Sequence, residues 1–345
     1  MSRLHVLAAP DKFRGSATAT EVAAAVAAGA RRAGWDCRLL PMADGGEGTL
    51  EALGGPDRTT VVSGPDGEPV EAAWRLDGTT AVIEMATAAG LQLAGGAGAN
   101  DALAATTRGV GELVAAALDA GATRVIIGVG GSATTDGGLG AVEVLEERQP
   151  LGGPGAHAQV VVAHDVRTLF TQAAAVFGPQ KGAGPAEVEQ LTQRLESLRA
   201  DYLARYGVDV GVLPGSGAAG GLAGGLAALG ARLAPGFDAV ATEVGLAEAV
   251  AQADLVITGE GLMDPESFNG KVVGGVAALA EQTDTPVFVV AGQVRPEVRD
   301  RVPCVDLVQV FGEERSWAEP LACIEEAVFR HLGSLATNHA ATGGT

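Results

Sequence analysis

Lysine is scarce in this sequence. Of the 23 basic residues among 345, only Lys12, Lys181 and Lys271 are lysines, so arginine serves almost wherever a solvated positive charge suffices. Aromatic residues make up 4% of the chain, with five histidines and three cysteines. Each shortage removes a class of function. Cys37, Cys304 and Cys323 are odd in number and far apart, which indicates neither a disulfide framework nor a zinc site; free thiols in a reducing cytoplasm are expected. His5, His157, His164, His331 and His339 form no H-E-x-x-H pair, and no G-x-S-x-G elbow is present, so zinc and serine hydrolases gain no support. No apolar run reaches the roughly 18 residues of a bilayer span. The apolar stretch before Asp11 is too short for a signal-peptide core and fits a first strand instead. A net charge of −19 argues against nucleic acid and anionic membranes as partners, since both need a basic footprint. Homo-oligomerisation is left open.

What the chain has in quantity is glycine, 51 residues, together with alanine and a hydrophobic content of 47%. That composition points to an α/β protein with closely packed helices and many glycine turns. Apolar runs bounded by turn signals predict buried strands at "LHVLAA" (4–9), "RVIIGVG" (124–130), "QVVVA" (159–163), "DLVITG" (254–259), "PVFVVAG" (286–292) and "DLVQVF" (306–311). Continuous apolar strands alternating with helices fit parallel sheets covered on both faces. The stretch 59–85 differs: it alternates and carries turns at Pro-Asp-Gly and Asp-Gly, the pattern of antiparallel hairpins. The expected organisation is therefore a Rossmann-like parallel-sheet α/β domain built from both chain ends (1–60 plus 245–334), an inserted mixed-sheet α/β domain (61–244), and a disordered tail (335–345).

Five segments mix glycine with charged or hydroxyl residues: "APDKFRGS" (9–16), "PMADGGEGT" (41–49), "IIGVGGSATTDGG" (126–138), "FGPQKGAG" (177–184) and "TGEGLMDPESFNGK" (258–271). All three lysines fall in these segments, beside glycine turns rather than on helix surfaces. Such positions suit a compact point-charge ammonium, as phosphate sites do. The third segment runs from a buried strand into a turn with five glycines, three hydroxyls and an Asp within residues 128–138. Backbone N–H groups of such a turn can close on an anion. A Walker P-loop is absent, because Gly270-Lys271 is followed by Val272 and preceded by Pro265 where the first glycine should stand. The G-x-G-x-x-G matches at 215–220 and, in its Ala-ended form, 128–133 raise a dinucleotide fold, but the first follows a poor strand ending in Pro214. Asp44, Glu47, Asp136, Glu260 and Asp264 are carboxylates held among glycines. They supply what Mg²⁺-dependent phosphoryl transfer needs, groups to hold a metal and one to accept a hydroxyl proton.

With these segments in order, the sequence resembles the bacterial glycerate kinase family of the 2-phosphoglycerate-forming type. The motifs "APDKFRGS", "MADGGEGT", "GVGGSATTDGGLGA", "VFGPQKGA", "LPGSGAAGGLAGGL", "DLVITGEGLMD" and "NGKVVGGVA" carry the resemblance over most of the chain. It departs from the family at Arg14, commonly Lys, and at Leu262, commonly Arg. The segment between "GLGA" and "VFGPQKGA" is some tens of residues shorter than usual, and "HDVRTLFTQAAA" (164–175) replaces a frequent Cys-Asp-Val with Asn-Pro-Leu.

The resemblance implies two α/β domains, ATP and Mg²⁺ as cofactors, and glycerate as the small-molecule substrate. ATP phosphates are expected on the 128–135 turn (Gly128, Gly130, Gly131, Thr134, Thr135), with Lys181 or Lys271 as point charges and Gly259 and Glu260 as further nucleotide contacts. The substrate carboxylate would take Arg14 or Lys12, with Glu47 and Ser132 nearby. Asp44 or Asp136 would be the general base, and Glu260 with Asp264 the metal contacts. A kinase of another small hydroxy or sugar acid, motivated by the shortened segment, and a nucleotide-binding protein without turnover stand as alternatives.

Overall fold

In the computed structural model, residues 4–342 are described. Eleven strands occur in chain order: β1 His5–Ala8, β2 Asp36–Leu39, β3 Arg58–Ser63, β4 Pro69–Asp77, β5 Thr80–Glu84, β6 Arg124–Gly128, β7 Gln159–His164, β8 Arg232–Pro235, β9 Leu255–Met263, β10 Val287–Val294 and β11 Cys304–Asp306. The chain divides into two compact units. The first is Met1–Asp44, Glu51–Leu53 and Val240–Thr345, the second Gly45–Leu50 and Gly54–Ala239. The boundaries expected from sequence texture were 60/61 and 244/245. No described helix is long and apolar enough to cross a membrane.

In the first unit a wholly parallel sheet runs β11-β10-β9-β1-β2. Its inner strands β1, β9 and β10 bury apolar side chains on both faces because helices cover both faces. Phe288 and Val290 of β10 join a core with Val6, Ala8 and Ile257, whereas Val289 and Ala291 join another with Met263 and Val273, the alternation a pleated strand imposes. The helix Ala19–Arg32 starts at a capping box, Thr18 Oγ1 accepting from the Glu21 N–H and Glu21 Oε2 from the Thr18 N–H. Its glycine has a packing reason: a methyl at Gly29 would sit 2.5 Å from the Glu325 carbonyl oxygen of the helix Pro320–Thr342. The tail expected from 335 thus begins inside that last helix, and its final three residues lie outside the described residues.

In the second unit the sheet order is β3-β4-β5-β6-β7-β8. The pairs β3/β4 and β4/β5 are antiparallel, as the turn signals in 59–85 predict, and β5 to β8 are parallel. The core here draws on Ile83, Ile127 and Val162 from the sheet and on Leu113, Leu145 and Leu226 from the covering helices.

One expected strand is not a strand. "DLVQVF" becomes the end of β11 followed by a helix, Leu307–Phe311, because Asp306 Oδ1 accepts from the Gln309 N–H at 2.8 Å and starts a helical turn. β9 in turn runs four residues past the expected end, so the Gly259-Glu260-Gly261 triplet lies on a strand. A methyl at Gly259 would meet the Val290 carbonyl oxygen at 2.1 Å, so the close β9/β10 approach requires glycine there.

Candidate active site

The first unit carries a cavity of about 430 Å³ at the carboxyl ends of β1, β9 and β10, the edge where open α/β sheets bind ligands. It brings together Lys12, Arg14, Asp44, Glu260, Asp264 and Lys271, all expected site residues, and Leu262, noted only as a departure from the family pattern, with Asp11, Ser267, Gln293, Val308 and Trp317, which were not picked out. Asp11 stood inside a quoted motif and was passed over. Val308 and Trp317 gave no signal, since the first lay in a supposed strand.

Backbone bonds fix the cationic loop. The Asp11 N–H donates to the Gly259 carbonyl at 2.8 Å, and Thr258 Oγ1 donates to the Ala9 carbonyl at 2.8 Å. Phe13 is buried, and its N–H and carbonyl close a tight loop with Ala17 and Ser16 that presents Arg14 to solvent. Gly259 therefore acts through its backbone, by holding Asp11. Lys271 is the N-cap residue of the helix Val272–Gln282, where the helix dipole favours an anion. Asp264 caps the turn before it: its Oδ1 accepts from the Glu266 and Ser267 N–H groups.

Acidic groups in this cavity are held under tension. Burial pushes the Asp11 carboxyl up to about 6, reinforced by Asp44 and opposed by the Lys12 charge and N–H and by Lys271. Burial likewise lifts Glu260 to about 7; Asp11 and Asp264 add to this, while Ser267 and Lys271 oppose it. Glu260 Oε1 is buried without a hydrogen-bond partner among the described residues. Among those residues no three His, Cys, Asp or Glu side chains form a metal cage. An orphaned carboxylate oxygen beside mutually repelling carboxylates nevertheless fits Mg²⁺, which is usually held by one or two carboxylates plus phosphates and water.

The remaining sequence-predicted residues lie in the second unit. The turn after β6 holds Gly130, Gly131 and Ser132, whose N–H groups have no acceptor among the described residues. Gly128, at the end of β6, accepts the Met85 N–H through its carbonyl. Gly130 packs on the Gly46-Glu47 backbone, and the Glu47 side chain is exposed. Thr134 and Thr135 are buried, and their hydroxyls have no partner among the described residues. Asp136 is enclosed: it accepts from Thr107 N–H at 2.9 Å, Thr107 Oγ1 at 2.7 Å, Gly138 N–H at 3.0 Å and Gly140 N–H at 3.3 Å. Lys181, 3% exposed, donates to the Thr134 carbonyl at 2.6 Å. Burial draws it down to about 7, with Asp136 pulling the other way.

The sequence profile of the glycerate kinase family matches residues 6–151 and 148–331. The chain belongs to that family. It is 42% identical to the glycerate kinase of Bacillus subtilis (strain 168), covering 84% of this chain and 85% of the relative. It is 39% identical to the glycerate 2-kinase of Escherichia coli (strain K12), covering 86% of this chain and 87% of that one. Among solved structures, a protein assigned as glycerate kinase 2 from Salmonella typhimurium LT2 superposes with a TM-score of 0.83 at 34% identity, covering 98% of this chain and 100% of its own. Two α/β units, one with a parallel and one with a mixed sheet, accord with that neighbour.

Proposed function

We propose that this glycerate kinase family member transfers the γ-phosphoryl group of ATP to the 2-hydroxyl of D-glycerate, with Mg²⁺ and without a covalent enzyme intermediate. The observation that carries the proposal is the first unit's cavity, which three cations and five carboxylates line, in a chain 39% identical to a relative named glycerate 2-kinase. Phosphoryl transfer asks the protein mainly for positioning and charge neutralisation.

Lys12, Arg14 and Lys271 supply positive charge for phosphate and carboxylate groups. Asp44, buried and lining the cavity, is assigned as acceptor of the hydroxyl proton. Asp136 is not, because its carboxylate oxygens are already taken by four donors inside the second unit and it does not line the first unit's cavity. Glu260, through its unpartnered Oε1, and Asp264 would hold Mg²⁺, which when bound neutralises phosphate charge. In the second unit the N–H groups of 130–132 are assigned an anionic group, with Lys181 bracing the turn from inside. Ser132, on that turn, and Glu47, whose backbone lies against Gly130, are assigned contacts to that ligand.

The test is purified protein with MgATP and D-glycerate, coupled to enolase without phosphoglycerate mutase. Immediate phosphoenolpyruvate supports the 2-phosphate; a requirement for mutase overturns it in favour of the 3-phosphate. ADP release with another hydroxy acid but not with glycerate would favour the second reading, for which the apolar Leu262 in the cavity speaks. Nucleotide binding with no ADP from any acceptor would leave a binding protein.

A further inference from the structure

The first unit's cavity is larger than its assigned acceptor needs, and its lining combines ionic with apolar side chains. A volume of about 430 Å³ lies within the range of roughly 300–1,000 Å³ typical of sites for drug-sized ligands, whereas glycerate has seven heavy atoms. Its lining includes the ionic side chains of Asp11, Lys12, Arg14, Asp44, Glu260 and Lys271 and the apolar ones of Leu262, Val308 and Trp317, together with Gln293 and Glu313.

Leu262 and Trp317 are both large hydrophobics left open to solvent, and they line the same cavity. Trp317 is 60% exposed, on a short helix, Glu313–Ala318, whose Ser316 is buried. Val308 arrives there because Asp306 starts a helical turn in place of a strand. Exposed apolar and aromatic side chains in the same cavity as three cations suit a ligand that is aromatic at one end and polyanionic at the other.

We propose that Trp317, with Val308 and Leu262, forms a nucleobase subsite, so that a purine nucleotide binds in the first unit with its base against the indole and its phosphates toward Lys12, Arg14 and Lys271. This rests on the kinase reading. Stacking a base on an aromatic side chain is sequence-tolerant and depends on the π-face alone, so phenylalanine retains much of the effect and alanine loses it.

The three tryptophans make the test selective. Trp35 and Trp74 are buried and Trp317 is not, so acrylamide quenching reports chiefly on Trp317. Protein is titrated with ADP, ATP and inorganic tripolyphosphate, and emission and acrylamide accessibility are followed for wild type, Trp317→Ala and Trp317→Phe. The expected result is that ADP and ATP shield the wild-type indole and tripolyphosphate does not. In turnover, Trp317→Ala raises KM for ATP about tenfold with KM for glycerate within twofold, and Trp317→Phe recovers most of the loss. Equal shielding by tripolyphosphate, or a KM change confined to glycerate, overturns the subsite. The two proposals fail separately. ADP formation from glycerate with an unchanged KM for ATP in Trp317→Ala removes the subsite and keeps the kinase. Base-dependent shielding without turnover on any acceptor does the reverse.

Discussion

The Lys181 ammonium donates to the Thr134 carbonyl at 2.6 Å from a position closed to solvent. That bond ties the helix-side Lys181 to the turn that follows β6, and it makes the lysine an internal brace. Its charge is penalised by burial, which draws it down to about 7. An unfolded lysine keeps its proton to about 10.4, so between pH 7 and that value the unfolded state binds more protons and stability rises with pH. Wild type should therefore gain roughly 1–2 kcal/mol between pH 7 and 8.5 relative to Lys181→Met. Urea unfolding of both proteins at the two pH values measures the difference; parallel pH trends would remove the buried charge from the account.

Asp44 and Asp136 separate by the same kind of comparison. Asp136 accepts four hydrogen bonds inside the second unit, including two from Thr107. Its change to Asn leaves a donor among donors and should lower stability by about 2–4 kcal/mol. Asp44→Asn should keep the wild-type denaturation midpoint and lower turnover by about 100-fold or more, the scale of a lost general base. Chemical denaturation and steady-state turnover on both variants decide it. An Asp44→Asn protein with full turnover would move the proton to another acceptor.

Glu260 illustrates stability given up for function. Its carboxyl is lifted to about 7 chiefly by burial, and Oε1 has no donor among the described residues. Glu260→Gln removes a penalised charge without changing shape, so the metal-free variant should melt higher than wild type at pH 8, by a few degrees. Its turnover should fall by about 100-fold or more, because a ligand assigned to Mg²⁺ is gone. Adding Mg²⁺ with ATP should raise the wild-type melting temperature more than that of the variant. A variant both less stable and equally shifted by MgATP would contradict the assignment.

Much of this architecture was legible because it rests on local patterns. Continuous apolar runs placed β1, β6, β7, β9 and β10, and Pro-Asp-Gly and Asp-Gly marked the turns around β4. Six charged residues chosen for their glycine neighbours converge on one cavity, since a turn at a strand end is where both glycine and function collect. What stayed hidden depended on partners remote in sequence. Nothing in "ATTDGG" tells that Thr107 closes over Asp136. Residues 307–311 form a helix too short to show a period, and the Asp306 cap that creates it reads in sequence as a strand boundary. Trp317 came to the cavity by that same misread corner.

The scarcity of lysine returns at the first loop. Lys12 is half-buried, with Nζ 3.9 Å from Asp11 Oδ1, whereas Arg14 is exposed at the cavity rim. A compact ammonium beside a buried carboxylate is not replaceable by a planar guanidinium, which needs more room and a forked acceptor. Lys12→Arg should therefore lower kcat/KM by about tenfold, while Arg14→Lys should cost no more than about threefold, since a solvated charge is kept at an open position. Arg14→Ala should exceed Arg14→Lys, because it deletes a cation from a cavity assigned to anions. The comparison is made in kcat/KM for both substrates at fixed ionic strength. If Lys12→Arg is neutral and Arg14→Lys is not, the forked donor at position 14 is the one the substrate reads, and the lysine is a neighbour of Asp11 only.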